Sequence, residues 1–530
     1  MTQVTPPQTG KIARAAGTVS IAVLASRLLG LVREQVFASL FGAGYAFDAF
    51  VVAFRIPNLL RDLFAEGALS SAFVTVFTDY DQRRDPAATW RLANNVILCF
   101  SLLVGSLVLL GMYFSPQLVE LMAPDFGLVP GKLPLTSLMT RVMFPFLLLV
   151  SLAALAMGIL NSKGKFFIPS LASSFFNLGS IVAGVALSYA VPRWGIAPIV
   201  GMAWGALIGG VLQLAVQLPL LRRVGYRPHW VLELREPGLR RVVRLLLPSV
   251  VGLSATQFNI FINTFYASSC PQGSVSWLNY AYRLFHLPMG LFGVALMVAT
   301  LPVVSRHAAN RDLPSLKDAL QSSLSLALLV ALPATMGLIF LADPIIAVIY
   351  QHGRFTLLDT QQTAAALALY SLGLLAFTWV KIMVPVFYAL DDTRLPVVGS
   401  FLTVAANLVF INLTLPTLQH RAIALSTSLS MVINFCFLAV MLHRKLGGFP
   451  VGLLLGKLAR VTAVSLGMGL AVAWLHPLLA SWLGASLGGR LLALAAAILL
   501  GTGLYGLGIS VLRIPEFQEL RRGLRARLRR

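Results

Sequence analysis

Along the chain, apolar runs near the length that crosses a bilayer, about 20 residues, alternate with short breaks that hold polar residues, Pro or Gly. The pattern predicts fourteen helices. The first seven are expected near residues 17–42, 45–78, 91–114, 136–161, 166–191, 197–221 and 241–269. The other seven are expected near 274–305, 316–341, 362–390, 395–418, 421–442, 454–475 and 488–512. The expected fold class is an all-α polytopic membrane protein with about 14 transmembrane helices.

Part of the pattern occurs twice. AFRI (53–56) returns as AYRL (281–284), and at the same offset LF at 63–64 falls on LF at 291–292. One residue of slippage upstream sets FAS (37–39) over YAS (266–268) and Gly44 over Gly273. Chance likeness between two aromatic-rich helices is the competing reading. Taken as a duplication, six helices recur. An even number of helices between copies gives them one orientation, so two parallel six-helix repeats are expected, with helices 13 and 14 added. The expected domains are a cytoplasmic N-terminus (1–16), two six-helix lobes (17–224 and 225–446), a final helix pair (447–512) and a basic cytoplasmic tail (513–530). Two such halves suit a transporter with a central cavity.

Composition strengthens the membrane reading: 58% of the 530 residues are hydrophobic and 11% charged, far from the balance of a soluble domain. A net charge of +22 raises the alternative of a nucleic-acid binder, since phosphate backbones attract clustered Lys and Arg. The placement of the charges argues against it. With the N-terminus inside, one side of the membrane holds Lys11, Arg14, Arg83, Arg84, Arg91, Lys163, Lys165 and the segment from Arg222 to Arg244. It also holds Arg306, Arg311, Lys317, Arg394, Arg444, Lys445, Lys457, Arg460 and the tail RRGLRARLRR. The opposite loops carry only Lys132, Arg193, Arg354, Arg421 and Arg490. This asymmetry is the positive-inside rule. It predicts a multi-pass bacterial inner membrane protein with both termini cytoplasmic, and no nucleic-acid partner. The tail suits anionic membrane lipids, each basic residue adding about 1 kcal/mol near such a surface.

The opening MTQVTPPQTGK lacks the charged start, short apolar core and cleavage site of a signal peptide, so the first helix is expected to stay. Cys99, Cys270 and Cys436 are far apart and suggest neither disulfides nor zinc. The seven His form no HExxH or comparable spacing. Neither a metal nor a cofactor is expected.

Seven cations fall inside the expected helices: Arg27, Arg33, Arg55, Arg61, Arg141, Arg283 and Lys381. Each would cost about 2.5 to 3.5 kcal/mol at mid-bilayer if it faced lipid. Arg141 and Lys381 lie near enough to helix ends to snorkel. At 100° per residue, Asp48, Arg55, Asp62 and Glu66 fall within about 40° of one another and form a polar stripe on helix 2. Pro57 is expected to bend that helix. The same geometry puts Arg27 and Glu34 on one face of helix 1 and Arg33 on another. Helices 1, 2 and 8 can then line a hydrated cavity in which Arg27, Arg33, Arg61 and Arg283 supply positive charge. Glu34, Asp48 and Glu66 would orient or partly offset it. Guanidinium groups suit pyrophosphate because they are planar, permanently charged and bidentate. Arg55 and Asp62 are equally well read as a pair tying helices together.

The stretches SRLLGLVRE (26–34), FGAGYAFDAF (41–50), FRIPNLLRDLFAEGALSSAFVTVF (54–77) and GSVSWLNYAYRL (273–284), with ILNSKGKFFIPS (159–170) and YQHGRFT (350–356), carry a resemblance over nearly the whole chain. The chain resembles the MurJ (MviN) lipid II flippases of the multidrug, oligosaccharidyl-lipid and polysaccharide exporter superfamily. That resemblance implies two halves forming a V-shaped chamber, with a groove for a polyprenyl tail beside helices 13 and 14. It implies lipid II as substrate, moved to the periplasmic leaflet by alternating access for cell wall biosynthesis. Cell-wall synthesis or division proteins become candidate partners. Essential arginines carry over to Arg27, Arg33, Arg61 and Arg283, with Ser26, Glu34, Asp48 and Glu66 as polar and acidic support. Two departures stand out. Relatives often have Asp where this chain has Glu34, and an acidic residue where it has Tyr282. The acidic ligands of a sodium site described for part of the family, on helices 7 and 11, have no counterpart here, so sodium coupling is not expected.

Three rivals remain. Another exporter of the superfamily is one, either a flippase for a different polyprenyl-linked oligosaccharide or a drug antiporter; an antiporter of organic cations should carry acidic charge in its cavity, and here the balance is basic. A membrane glycosyltransferase would need a poised base or metal-binding carboxylates. The only adjacent acidic pair, Asp391 and Asp392, reads as a turn and helix cap. A scaffold for wall-synthesis enzymes would need no arginines inside the membrane.

Overall fold

The computed structural model describes residues 7–63, 68–448, 451–512, 514 and 516–518. Helices and short connections account for all of them, and no strand occurs among the described residues. The chain forms two compact units, one ending at Gln272 and the other starting at Gly273.

The first unit contains α1 (Pro7–Phe41), α2 (Tyr45–Arg61), α3 (Ala68–Arg83), α4 (Pro86–Tyr113), α5 (Ser115–Met122) and α6 (Lys132–Met143). It continues through α7 (Pro145–Ser162), α8 (Phe167–Ala190), α9 (Ile199–Ala215), α10 (Leu218–Arg223) and α11 (Pro237–Ser268). One of its cores joins Phe73 and Phe77 of α3, Leu92 and Val96 of α4, Ile159 of α7 and Val242 of α11. α8 and α9 pack backbone to backbone: a Cβ on Gly205 would come 2.5 Å from Gly184 Cα. This is the close approach that small residues at this spacing allow.

The second unit contains α12 (Ser274–Pro288), a π turn (Met289–Gly293), α13 (Val294–Ala309), α14 (Leu313–Phe340), α15 (Ala342–Tyr350) and α16 (Leu357–Ser371). It ends with α17 (Leu374–Ala389), α18 (Arg394–Leu418), α19 (His420–Lys445), α20 (Val451–Leu483) and α21 (Leu487–Val511). Leu320, Leu324 and Leu328 of α14 pack with Trp379 and Phe387 of α17, Leu438 of α19, Val461 of α20 and Ile509 of α21.

Each of the fourteen expected helices has a helical counterpart, and several are built from two pieces. Ten helices among the described residues are long and apolar enough to cross a membrane, or up to twelve if two bent pairs each count as one. Outside those twelve fall the first two expected spans, α1 and the α2–α3 pair, which between them carry Arg27, Arg33, Arg55 and Arg61. Of the second, expected as one run over 45–78, α2 covers Tyr45–Arg61 with Pro57 inside it, Asp62 and Leu63 follow as a π turn, and α3 covers Ala68–Arg83.

The helix order α1 to α9 recurs as α11 to α19, including a short helix after each long one at α4–α5 and α14–α15. Gly44 and Gly273, matched in the sequence repeat, both precede the helix that carries the repeated motif, with φ of 148° and 99°. A side chain would be strained at either place.

Candidate functional site

Arg33 and Glu34 are both buried on α1, at 6% and 3% exposure. Neighbouring residues on a helix do not face each other, yet the long arginine folds back and its Nη2 reaches Glu34 Oε1 at 3.0 Å. Glu34 thus pairs with Arg33, which the wheel set on another face, while Arg27 is exposed. The Arg33 guanidinium also lies 5.3 Å from the centre of the Phe176 ring on α8. The next residue, Asn177, donates from Nδ2 to the carbonyl of Ser26 at 3.1 Å. α8 thus holds α1 on both sides of the segment from Ser26 to Glu34. Phe176 itself rests on Phe146 at 5.2 Å, which meets Phe54 of α2 at 5.7 Å. Phe176 and Asn177 sit in an apolar helix and read as ordinary packing residues in the sequence.

Asp48 of α2 is 1% exposed, and its Oδ2 accepts from Lys132 Nζ at 3.0 Å. Lys132 was expected in an external loop. It is instead the first residue of α6, 3% exposed, with its ammonium 4.1 Å from the Phe126 ring centre. Gly131, at φ 76°, turns the chain inward to place it. The sequence carries no signal for this contact, because only the fold brings the start of α6 to the start of α2.

The stripe expected on α2 divides among different partners. Arg55 Nη1 donates to Thr264 Oγ1 of α11 at 2.7 Å, which ties those two helices. Arg61 donates from Nε and Nη2 to Asp62 Oδ1 at 3.1 and 2.8 Å. Glu66 lies outside the described residues.

Arg283 belongs to α12 in the second unit and is exposed, between buried Ala281 and Leu284. Tyr282 packs edge-on against His286 at 4.2 Å. Deeper in this unit Trp277 Nε1 donates to Asp359 Oδ1 at 2.9 Å. Asp359 also closes a capping box with Thr356 at the start of α16. A buried polar contact therefore joins α2 to α6 in one unit, and another joins α12 to α16 in the other.

Asp391 and Asp392 behave as the turn and cap expected of them. Asp391 has φ 57°, and Asp392 accepts from the backbone N–H groups of Arg394 and Leu395 at 3.2 Å. Lys445 Nζ donates to Asp392 at 2.6 Å and holds its carboxyl below the usual carboxylate range, helped by the backbone bonds. No group of three or more His, Cys, Asp or Glu able to hold a metal ion occurs among the described residues.

The family model described as "Lipid II flippase MurJ" matches residues 37–491. The "Lipid II flippase MurJ" of Burkholderia cenocepacia is 37% identical over 442 residues, 82% of this chain and 84% of that protein. The solved structure "Lipid II flippase MurJ, inward closed conformation" is similar with TM-score 0.75 and 26% identity, covering 93% of this chain and 98% of that one. An inward-facing multidrug resistance MATE family transporter of the MOP superfamily has the same fold, with TM-score 0.65 over 82% of this chain and 16% identity. The chain belongs to the lipid II flippase MurJ family.

Proposed function

We infer that this protein is a lipid II flippase of the bacterial inner membrane, a transporter and not an enzyme, serving peptidoglycan biosynthesis. The observation that carries this reading is the family match across residues 37–491, which spans the arginine-bearing helices α2 and α12.

Arg27, Arg33, Arg61 and Arg283 are proposed to hold the pyrophosphate, each able to give two parallel hydrogen bonds to its oxygens. In this role Glu34 limits where the Arg33 guanidinium can point. Arg27 and Arg283 are exposed, so an incoming anion can reach them. Asp48 supports helix placement through Lys132. Ser26 acts through the backbone carbonyl that Asn177 fixes, and Glu66 is kept as an acidic supporting residue.

The lobes 17–224 and 225–446 are proposed to exchange access to the two leaflets, while α20 and α21 hold the polyprenyl tail. Leu470, Trp474 and Leu499 on these two helices are exposed, which supports a lipid-facing role. Both termini are proposed to be cytoplasmic, and cell-wall synthesis or division proteins are proposed as partners.

Complementation tests the function directly. A strain depleted of its own lipid II flippase should regain growth and rod shape when it expresses this chain. Failure to do so, with the protein present in the membrane, would overturn the assignment.

A further inference from the structure

The connection between α10 and α11 is built as a strap. Two consecutive buried asparagines on α4 pin it. Asn94 donates to the Arg227 carbonyl at 3.0 Å, and its Oδ1 accepts from Tyr226 Oη at 2.9 Å and His229 N at 3.1 Å. Asn95 makes both backbone bonds to Glu233, 2.9 Å from its amide and 2.8 Å to its oxygen. Arg91 pairs with the Glu233 carboxylate. Glu236 accepts from Tyr80 Oη at 2.9 Å and caps α11 through Leu239 N at 2.6 Å. Both acidic side chains of the strap are thus engaged by the protein.

The strap has no regular secondary structure up to Glu233 and a turn at Leu234–Arg235, and along it exposed and partly buried residues alternate. Val231 and Glu233 are partly buried. Trp230, Leu232 and Leu234 are 91%, 56% and 69% exposed. Arg227, Arg235 and Arg240 flank that row and are exposed as well. An apolar row this exposed, beside acidic groups already engaged and flanking cations, is unusual for a loop in water. Its position explains it. The segment begins where the apolar span Ile199–Arg223 ends and finishes where α11 starts, so it lies at the level of lipid headgroups, where Trp and basic side chains are favoured.

We propose that Trp230, Leu232 and Leu234 insert into an anionic lipid surface while Arg227, Arg235 and Arg240 contact its phosphates. The strap then joins the N-terminal part of α4 to the membrane interface through its two sides. The occupant is lipid because the outward apolar row and the cations are both complementary to an anionic headgroup layer. The proposal rests on the membrane spans of the chain and is independent of its substrate.

The test uses the full-length protein in nanodiscs of phosphatidylcholine alone or mixed with phosphatidylglycerol. The emission of Trp230 is obtained by difference from Trp230→Phe. In the anionic discs that emission should be blue-shifted, quenched by brominated acyl chains and shielded from acrylamide. Quenching by brominated lipid should fall in phosphatidylcholine, and fall likewise when Arg227, Arg235 and Arg240 are all changed to Gln. A Trp230 open to acrylamide and untouched by brominated lipid would overturn the proposal and leave the row free for a soluble protein. Equal quenching in the two lipid compositions would also overturn it, because the cations would then have no part.

Discussion

Lys132 Nζ lies 3.0 Å from Asp48 Oδ2, and both side chains are almost fully buried, joining the first residue of α6 to the first turn of α2. Removing one partner of such a pair strands the other charge away from water, which costs about 3 to 5 kcal/mol. Lys132→Met and Asp48→Leu should each melt well below wild type in detergent. Removing both charges strands neither of them, so the double variant should recover much of the loss. A Lys132→Met protein that melts like wild type would show that the pair contributes nothing.

The second prediction concerns Arg33 and the ring beneath it. A cation over an aromatic face contributes about 0.5 to 2 kcal/mol, more when water is excluded, and Arg33 is buried over Phe176. Phe176→Leu should weaken binding of a purified polyprenyl-pyrophosphate precursor by a few-fold, whereas Phe176→Trp should preserve it. In an Arg33→Ala background the Leu change should have little further effect. Additive losses would mean that Phe176 acts through packing alone.

The fold was largely legible because membrane helices announce themselves by length and apolarity. The arginines stood out because a charge inside an apolar run is costly unless it has a task. What escaped were contacts made by the fold. Lys132 resembles a loop cation until Gly131 turns it inward. Asn177 looks like one more polar residue on a small-residue helix until its amide is seen on the Ser26 carbonyl. The pairing of Glu34 with Arg33 lies beyond what a wheel shows, since a wheel tracks Cβ directions and not the reach of a long side chain.

Asp392 gives a pH prediction outside the membrane spans. Its carboxyl is held below the usual range by Lys445 and the start of α18. Its stabilising contribution is therefore present above the ordinary carboxyl value near 3.9 and is lost as pH falls through the lower folded value. Asp392→Asn should lower the melting temperature at neutral pH, and the gap from wild type should close under strongly acidic conditions. A gap that persists at every pH would assign the effect to the amide's shape and not to charge.

Energy coupling is the fourth prediction. No Asp or Glu occurs in α11 or α18, and the arginines proposed for the site outnumber its carboxylates. Moving one charge through 100 mV is worth about 2.3 kcal/mol, so an inside-negative potential can return an emptied, net-positive carrier to the cytoplasmic side. Precursor exposure should fall when the potential is collapsed and persist when choline replaces external sodium. Exposure that follows sodium and ignores potential would contradict this coupling.

The most direct measurement of the central claim is the amount of lipid II exposed on the outer leaflet of cells whose only flippase is this chain. Wild type should sustain exposure. Arg33→Ala and Arg283→Ala should abolish it with the protein still in the membrane, and Lys at either position should restore it only in part, because the bidentate contact is lost. Undiminished exposure in both alanine variants would contradict the account.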